Sequence, residues 1–561
     1  QKQLDIRVIV GNPPYSVGQA SQNDDNANLS YPTLDGSIAK TYAKHSTATL
    51  KNSLYDSYIR AFRWASNQIA ACEDGGIVGF VSNGGWLDGN TADGLRHCLH
   101  DEFHDVYVFN LRGNSRMAGQ RARMEGGNVF DVRVTVVVTL LVKKRGPVPP
   151  GGAQIHYRDI GDYLDREEKL AIIDESSITS IEWTEIQPNE QNDWINHRNP
   201  AYDKLIPLAG EPNAIFTLAS NGLKTNRDAW VYNSSRKDLR RNVESMIDFY
   251  NQQLDGFTDA HPPAGEMKET RSKKARAFVD KDDTHFSWNR ADYGNVALGK
   301  TYALAPEMLR LGLYRPFFQQ HAVFDRSLND EPGQLPKLYP APDSGNIGYY
   351  SISSKTKEFS VLATDQIPDL AMYGSESGKF FARWRDEVAG EENSLLGQEV
   401  GGRTSNLNPA GVQRFKDAFG ADIDDDAVFE YVYGVLHSFD FRQEFESSLK
   451  REAPRVPLVD SRAKFDAFRV AGRELLDLHM NYEDVEPYPL EEQWREGVDP
   501  AGSPDVLFVG SKKMAYPKVV DAVTGDKVAD KKRLIYNPHL TLVGIPPEAH
   551  EYVLGTRSAI D

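Results

Sequence analysis

The sequence Asp5-Ile-Arg-Val-Ile-Val-Gly11 is followed directly by Asn12-Pro13-Pro14-Tyr15. The first stretch is a short apolar run rich in β-branched residues, which predicts a buried strand. Two prolines fix the φ angle and remove two backbone donors, so the strand is predicted to end in a stiff turn with free carbonyl groups.

Helical and strand patterns alternate beyond this segment. Apolar residues at helical spacing predict helices at 53–72 and 91–103, and β-rich runs predict strands at 77–81, 106–110 and 132–142. Strands that alternate with helices indicate an α/β layer with a mainly parallel sheet. Residues 301–561 have many turns and no such alternation, which predicts a mixed α+β region.

The length of the chain predicts several domains. A chain of 561 residues suggests three to four domains at about 150 residues each. Segments rich in proline and glycine at 146–152 and 259–265 predict the boundaries. We therefore expect a first domain at 1–150, a connecting region at 151–300 and a third domain at 301–561. Because the chain begins with Gln1 and reaches a strand almost at once, we also expect it to be a piece of a longer protein.

Composition excludes several classes of protein. Hydrophobic residues make up 40% and charged residues 26%, which is typical of a globular chain and not of a disordered one. The net charge of −17 means that nucleic acid can be bound only through local basic patches. Cys72 and Cys98 are too few for a disulfide framework or a thiolate zinc cluster. No run approaches the roughly 20 apolar residues of a membrane span, so no membrane partner is expected.

Residues 12–15 combine groups that suit a planar base with an exocyclic amine. The side-chain carbonyl of Asn12 and the backbone carbonyl of Pro13 can converge on one amine, and the Tyr15 ring offers a flat face. Accepting both amine hydrogens leaves the nitrogen lone pair aimed at a methyl donor and stabilises the positive charge that develops. Such a base has to be flipped out of the duplex. Taken alone, the same residues fit a rigid turn without chemistry equally well.

The motif and its surroundings resemble the amino-methylating DNA methyltransferases, whose catalytic motif is Asn-Pro-Pro-Tyr at the end of a central strand. Stretches at 52–59, 75–87 and 128–142 are similar to the elements that follow that motif in the family. Several further stretches resemble the type ISP restriction–modification enzymes: Gly11-Asn-Pro-Pro-Tyr-Ser-Val-Gly18, Asn110-Leu-Arg-Gly-Asn114, Asn221-Gly-Leu-Lys-Thr-Asn-Arg-Asp-Ala-Trp230, Leu313-Tyr-Arg-Pro-Phe317, Tyr431-Val-Tyr-Gly-Val-Leu-His437 and Leu478-His-Met-Asn-Tyr482.

The resemblance implies a sequence-specific adenine-N6 DNA methyltransferase that uses S-adenosylmethionine. It implies a Rossmann-like sheet, incomplete at its N-terminal half and exposed at one edge, followed by a target-recognition domain. Asn12, Pro13, Pro14 and Tyr15 match the catalytic motif, and Phe130 is a candidate for packing against the base. The family's glycine-rich cofactor loop, its nuclease and its motor precede the motif, so cofactor-binding residues are not assigned here. ATP and magnesium would serve the nuclease and motor of the parent enzyme, in the cytoplasm of a prokaryote.

Double-stranded DNA is the partner that the resemblance implies, and local basic patches are the candidates for contacting its backbone. Six basic residues against two acidic ones between positions 224 and 241 form the strongest patch. The candidate DNA-binding residues are Asn221, Lys224, Thr225, Asn226, Arg227, Arg236, Lys237, Arg240 and Arg241. A solvated helix face explains the basic residues equally well when the family is set aside. Base reading is expected within 301–561, at residues that the sequence does not identify.

Other patterns are weaker. Gly294-Asn-Val-Ala-Leu-Gly-Lys300-Thr301 matches the phosphate-binding P-loop pattern, but the residues before it are too polar for a central strand. His97, His100 and His104 share a helix face, and Glu266-Met-Lys268 resembles half of a nuclease site, yet we expect no metal at either. An alternative function is a DNA-recognition module that catalyses nothing, and a third is an ATPase that rests only on the P-loop pattern.

Overall fold

The computed structural model describes residues 6–14, 31–48, 51–116, 123–262, 265–354, 357–374, 377–386, 403–503, 505–506, 514–520, 527–558 and 560. The chain forms two compact units. Unit 1 comprises residues 1–202 with 355–357, and unit 2 comprises residues 203–354 with 358–561.

Unit 1 contains a six-stranded sheet in the order β1-β2-β4-β3-β5-β6. β1 is parallel to β2 and β3 is parallel to β5, whereas β4 is antiparallel to both β2 and β3, and β6 is antiparallel to β5. Four strands therefore run in one direction and two in the other. The strands are β1 Val8–Gly11, β2 Gly76–Asn83, β3 Asp105–Arg112, β4 Val136–Lys143, β5 Gln154–Asp159 and β6 Thr184–Ile186.

One face of the sheet is covered by helices because their apolar residues recur at helical spacing. The helix Ser57–Ala70 buries Tyr58, Phe62 and Ile69, and the Phe62 ring meets the Phe80 ring of β2 edge-on at 5.2 Å. The unit-1 helices are Pro32–Lys40, Tyr42–His45, Ser57–Ala70, Gly85–Asp88, Asp93–Glu102 and Arg166–Asp174, with 3₁₀ turns at Asn52–Tyr55 and Asn90–Ala92.

β1 lies at an edge of the sheet among the described residues, as expected from the sequence. Its residues alternate between the two faces. Ile9 is buried under the helices, while Val8 and Val10 on the other face are 64% and 80% exposed. The same face is covered further along the sheet, where Phe109 and Leu111 of β3 join a small core with Val129, Val136 and Ile160.

The positions of the early elements agree with the sequence prediction, and the sheet is more mixed than predicted. β4 inserts between two parallel strands in the opposite direction, which the alternation of apolar runs does not reveal. β5 and β6 belong to the same sheet although they follow residue 150. The first unit thus extends to Tyr202, and the division at 150 and 300 stays a prediction.

Unit 2 is a mixed α/β region with several small sheets. Their strand orders are β13-β9-β10-β8, β12-β11-β14, β18-β22-β21, β15-β16, β17-β7, β19-β20 and β23-β24. The strands are β7 Ile206–Pro207, β8 Tyr232–Asn233, β9 Leu309–Arg315, β10 Phe318–Val323, β11 Gly348–Ile352, β12 Ser360–Thr364, β13 Ile367–Pro368, β14 Lys379–Ala382, β15 Trp384–Asp386, β16 Arg403–Ser405, β17 Arg455–Val456, β18 Glu491–Trp494, β19 Lys518–Val520, β20 Lys527–Ala529, β21 Arg533–Ile535, β22 Leu540–Val543, β23 Val553–Leu554 and β24 Arg557–Ser558.

The longest helix of unit 2, Arg236–Ala260, begins at Ser235, whose side chain accepts the backbone N–H of Asp238 at 3.2 Å. It buries one apolar stripe that includes Val243, Tyr250 and Phe257. The other unit-2 helices are Asp228–Val231, Lys268–Phe278, Arg290–Ala297, Leu335–Leu338, Pro409–Phe419, Asp425–His437, Phe439–Glu444, Glu446–Leu449 and Arg462–Met480, with 3₁₀ turns at Pro306–Met308 and Pro547–His550.

Two of these helices touch through glycine. In Arg462–Met480, a Cβ placed on Gly472 would lie 1.9 Å from the Glu430 carbonyl oxygen of Asp425–His437, and a Cβ on Gly434 would lie 2.2 Å from the Phe468 carbonyl. The helix Asp425–His437 is capped at its start by Asp424, whose carboxylate accepts the backbone N–H of Ala427 at 2.8 Å.

None of the helices in the described part of the chain is long and apolar enough to cross a bilayer.

Candidate functional sites

The carboxyl end of β1 carries the segment that the sequence singles out. β1 ends at Gly11, Asn12 is exposed, Pro13 is buried and Pro14 is exposed. Because β1, β2, β3 and β5 run in the same direction, their carboxyl ends lie at one edge of the sheet. Ligands of open α/β sheets bind outside that edge. Asn12 is thus placed where a ligand would approach, and Tyr15 lies outside the described residues.

β2 brings a second asparagine to the same edge. Gly11 pairs with Phe80, and β2 continues to Asn83, which is only 3% exposed. The side-chain oxygen of Asn83 accepts the backbone N–H of Gly85 at 2.8 Å. A Cβ on Gly84 would lie 2.6 Å from the Val137 side chain, so the turn fits only glycine. The sequence analysis did not single out Asn83. A polar residue at the end of the strand after the motif would have indicated it as a candidate site residue.

Phe130 precedes β4 at this edge. It is 47% exposed, and its backbone N–H donates to the Asn128 side-chain oxygen at 2.9 Å. The Asn128 amide donates to the carbonyls of Gly113 and Val134, both at 2.8 Å. Asn128 therefore ties the loop before β4 to the segment after β3. β4 is two strands from β1, so roughly 10 Å of sheet separates their ends.

A buried lysine reinforces this loop. Lys169 is fully buried, and its ammonium group donates to the carbonyl oxygens of Leu111, Glu125 and Gly127 at 2.9, 2.7 and 2.8 Å. Burial lowers the pKa of Lys169 and raises the pKa of the Glu125 carboxyl. The helix Arg166–Asp174 thus holds the end of β3 at Leu111 and the segment between β3 and β4 at Glu125 and Gly127. Nothing in the sequence marks Lys169, because its partners lie more than 40 residues away.

Arg112 fixes the ends of β3 and β5 to each other. It has a φ of 55°, in the left-handed region that a residue with a Cβ adopts rarely. Its Nε donates to Asp159 at 2.7 Å, and Nη1 pairs with Asp162. Asp159 also accepts the Tyr157 hydroxyl at 3.1 Å. The charges of Arg112, Asp159 and Asp162 are therefore paired with one another at this edge of the sheet.

In unit 2, the polar segment 221–227 is bound mostly within the fold. The Asn221 oxygen accepts from Lys379 at 2.8 Å, and Lys224 pairs with Asp330 at 2.9 Å. Asn226, with a φ of 54°, also donates to Asp330 at 2.8 Å. These contacts join segments more than 100 residues apart.

The two remaining members of that segment are buried. The Thr225 hydroxyl bonds to the Asp228 carboxylate. The Arg227 guanidinium pairs with Asp292, both side chains being 0% exposed, and lies 4.8 Å from the centre of the Phe286 ring. Burial raises the pKa of Asp292. Arg227 thus connects Asp228–Val231 to Arg290–Ala297 in the interior of the unit.

The basic residues at the start of Arg236–Ala260 face solvent. Arg236, Lys237, Arg240 and Arg241 are exposed. Arg240 pairs with Glu244 and Arg241 with Asp238, each at 2.8 Å. Within the described part of the chain, no carboxylate forms an ion pair with Arg236 or Lys237. These two side chains are the members of the predicted set that are accessible and carry uncompensated charge.

Three of the family-like stretches converge in unit 2. The Phe317 ring lies 6.0 Å from the His479 ring and 5.1 Å from the Tyr482 ring. The Tyr433 hydroxyl bonds to His479 Nδ1 at 2.6 Å. Burial lowers the pKa of His479 to about 4, so this imidazole is neutral at pH 7. The stretches 313–317, 431–437 and 478–482 therefore form one packed cluster around His479.

The weaker sequence patterns have ordinary positions. Gly294 lies inside the helix Arg290–Ala297, and the Lys300 carbonyl accepts the Tyr250 hydroxyl at 2.9 Å. A P-loop needs a strand before the glycine and a helix after the lysine, and this order is not present. Glu266 pairs with Lys274 at 2.5 Å. In the described residues, no group of three or more His, Cys, Asp or Glu side chains is placed to hold a metal ion.

Comparisons with known proteins identify the family. The model of the type ISP C-terminal specificity domain matches residues 214–561, which is more than half of the chain. The chain therefore belongs to the type ISP family. No curated protein matches it.

Three solved structures are similar over almost the whole chain. A nuclease-deletion mutant of the type ISP restriction–modification enzyme LlaGI, in complex with a DNA substrate mimic, is 34% identical with a TM-score of 0.79, covering 100% of this chain and 48% of that one. The ATP-dependent type ISP enzyme LlaBIII bound to DNA is 32% identical with a TM-score of 0.77, covering 100% and 34%. A DrdV–DNA complex is 29% identical with a TM-score of 0.76, covering 99% and 52%. The chain thus spans about half or less of each relative's length.

Proposed function

We propose that this chain carries the catalytic loop of an adenine-N6 DNA methyltransferase and the target-recognition part of a type ISP restriction–modification enzyme. The observation that supports the proposal most is the position of Asn12 and Pro13 at the carboxyl end of β1. Ligand sites of α/β sheets form at this edge, and the turn there is rich in carbonyl acceptors.

In the proposed reaction, Asn12 and Pro13 hold the exocyclic amine of a flipped adenine. Their carbonyl oxygens accept its two hydrogens, which leaves the nitrogen lone pair directed away from the ring plane. As the amine gains positive charge, the same two oxygens stabilise that charge more strongly than they stabilise the neutral amine. Pro13 and Pro14 keep the acceptors in position, and Tyr15 stacks on the base. Phe130, on the same edge, is a second candidate for contact with the base.

S-adenosylmethionine would supply the methyl group in this proposal: the methyl–sulfur bond would break as the N6–carbon bond forms, S-adenosylhomocysteine would leave, and one amine proton would pass to solvent after the transfer. The described residues at the edge fit an amine better than they fit that cofactor, since the turn after Gly11 offers carbonyl acceptors and its prolines lack N–H groups. A cofactor with a carboxylate requires donors. The chain's own contribution is therefore to bind and orient the adenine, and no cofactor-binding residue is assigned.

Double-stranded DNA is the proposed partner. The LlaGI, DrdV and LlaBIII structures are complexes with DNA or a DNA substrate mimic. The exposed Arg236 and Lys237 can neutralise phosphates without reading sequence. In the parent enzyme, ATP and magnesium would serve a nuclease and a motor, and the protein would act in the prokaryotic cytoplasm. A DNA-recognition module without catalysis is the alternative.

Mapping of methylated bases in the genome of the producing organism tests the proposal. We expect N6-methyladenine at one sequence motif, its loss in an Asn12→Ala strain, and its retention in an Asn52→Ala strain. Asn52 is an exposed residue of the same unit and serves as the matched control. Unchanged methylation in the Asn12→Ala strain would leave the recognition module as the better explanation, provided that the purified protein still binds DNA.

A further inference from the structure

Two buried polar side chains border the turn that follows β2. Asn83 is 3% exposed, and Tyr58, in the helix Ser57–Ala70, is 5% exposed. A Cβ on Gly85 would lie 3.2 Å from the Asn83 side-chain oxygen and 3.7 Å from the Tyr58 hydroxyl, so both polar groups lie beside the same residue. In the described part of the chain, neither the Asn83 amide nitrogen nor the Tyr58 hydroxyl has a hydrogen-bond partner. Buried donors without partners are rare, and each needs an explanation.

These two groups are not sealed within the protein. Among the described residues, Trp86 Nε1 is a fully enclosed donor without a partner, but the Asn83 amide and the Tyr58 hydroxyl are not enclosed in that way. A ligand can therefore reach both of them. Burial raises the pKa of Tyr58, so its hydroxyl keeps its proton at neutral pH and can donate a hydrogen bond.

The free half of the Asn83 amide is its donor. The side-chain oxygen of Asn83 accepts the Gly85 N–H at 2.8 Å, which fixes the orientation of the amide. The NH2 group is the half that is left without a partner, and an NH2 group donates hydrogen bonds. The turn at residues 12–14 is the opposite, because it offers carbonyl acceptors and its two prolines have no N–H. This edge of the sheet thus has acceptors on one strand and a donor on the next.

Asn83 and that turn lie at matching positions along neighbouring strands. Gly11 of β1 pairs with Phe80 of β2, and the two strands run in the same direction. Asn83 is three residues beyond Phe80, as Pro14 is three residues beyond Gly11. Neighbouring strands are about 4.8 Å apart. One strand spacing therefore separates the donor from the acceptors of the turn, and a planar base spans that distance.

We propose that the Asn83 amide donates to a ring nitrogen of the flipped adenine, N1 or N7, while Asn12 and Pro13 hold its amine. The inference rests on the proposed function and adds a base-recognition residue to it. Both ring nitrogens lie beside the carbon that carries the amine, and both accept hydrogen bonds. An acceptor that is taken out of water without a donor weakens binding, so a site made of acceptors alone would hold adenine poorly. Asn83 supplies the donor that the turn lacks.

Substrates that lack one ring nitrogen test the inference. The enzyme purified from the producing organism is given duplexes whose target base is adenine, 1-deazaadenine or 7-deazaadenine, and kcat/KM for methyl transfer is measured. Asn83→Asp keeps an acceptor for the Gly85 N–H and lacks the NH2 donor, so we expect it to lower kcat/KM on adenine by about 10- to 100-fold. On one of the two analogues the native enzyme should show a similar loss, and Asn83→Asp should then add less than about threefold, because the contact is already absent.

Two further variants separate a contact with the base from an effect on the turn. Asn83→Ala removes the donor and the acceptor together, and Asn52→Asp makes the same change of charge at an exposed residue of unit 1. We expect Asn83→Ala to depend on the same analogue, and Asn52→Asp to behave as the native enzyme does on all three substrates. If both Asn83 variants lose the same factor on all three substrates, Asn83 only shapes the turn and the inference is overturned, while the proposed function stands. If the native enzyme does not methylate adenine, the proposed function fails and the inference fails with it.

The analogue that responds identifies the atom in contact. N1 has a counterpart beside the amine of cytosine, whereas N7 is present only in purines. A response to 7-deazaadenine would make Asn83 a residue that selects adenine over cytosine, and a response to 1-deazaadenine would make it a contact that either amino base could form.

Discussion

Arg227 is expected to stabilise unit 2 from the inside, and its replacement by methionine measures this. Arg227 and Asp292 are both 0% exposed in their side chains, and Asp292 also accepts from Asn289 N–H at 2.7 Å and the Tyr302 hydroxyl at 2.8 Å. Removing one partner of a buried pair typically costs about 3–5 kcal/mol because the remaining charge is buried without its counter-ion. Methionine keeps most of the apolar volume beside Phe286. The predicted loss in the free energy of unfolding is therefore about 3–5 kcal/mol.

The pH dependence of this loss has a definite sign. In the native protein, burial already raises the pKa of Asp292 above its ordinary value. Without Arg227 the folded-state pKa rises further, so the stability that belongs to the protonated form is present at low pH and is lost as pH rises. The deficit of Arg227→Met should consequently be smaller at pH 5 than at pH 8.

Urea unfolding followed by tryptophan fluorescence provides the assay, since Trp288 lies 4.5 Å from the Phe286 ring. With a slope near ~3 kcal/mol per molar urea, a loss of ~4 kcal/mol moves the midpoint by ~1.3 M. The double variant Arg227→Met with Asp292→Asn should recover much of the loss, because no charge stays buried and the amide oxygen remains as an acceptor beside Asn289 and Tyr302. A loss below about 1 kcal/mol, or a double variant as unstable as the single one, would refute the reasoning.

Three further predictions concern stability. Lys169→Met removes a donor from three carbonyls, of which that of Glu125 keeps the Gly113 N–H at 3.2 Å, so thermal unfolding should show unit 1 destabilised by about 2–3 kcal/mol; a neutral result would mean that the loop is held otherwise. Gly472→Ala should lower the free energy of unfolding by several kcal/mol, because a Cβ at position 472 meets the Glu430 carbonyl. Ala471→Gly, one residue away, should lower it by only about 1 kcal/mol. Burial raises the pKa of Asp369 to about 6. The protonated carboxyl therefore contributes about 3 kcal/mol to the free energy of unfolding at low pH, and this contribution should be lost as the pH rises from 4 to 6. An Asp369→Asn variant should lack that part of the pH profile, and a profile that it leaves unchanged would contradict the assignment.

The early elements of the fold could be predicted because their signals are local. The run before Gly11 and the β-rich run 132–142 each correspond to one observed strand. The helical spacing in 53–72 corresponds to the helix Ser57–Ala70 and the 3₁₀ turn before it. The direction of β4 could not be predicted from the sequence, because a buried strand has the same apolar composition whether it runs parallel or antiparallel to its neighbours. Asn12 follows the predicted first strand directly, and Phe130 lies in the loop before β4 at the same edge because β4 runs in the opposite direction.

The sequence of the segment 221–227 does not show that several of its side chains bind within the fold. Its polar residues resemble a DNA-contacting turn, yet the partners of Lys224 and Arg227 are Asp330 and Asp292, far away in sequence. A basic residue is read from sequence by its local charge balance, whereas its accessibility depends on tertiary neighbours. Arg236 and Lys237 are exposed, and their contact with DNA stays a prediction.

Methyl transfer by the purified enzyme tests the central claim most directly. Protein purified from the producing organism is incubated with isotopically labelled S-adenosylmethionine and DNA that contains its mapped motif, and the DNA is hydrolysed to nucleosides. The account predicts label in N6-methyldeoxyadenosine with the native protein and with Asn52→Ala, and none with Asn12→Ala, which still binds the DNA. Label on cytosine, or a rate unaffected by Asn12→Ala, would contradict it.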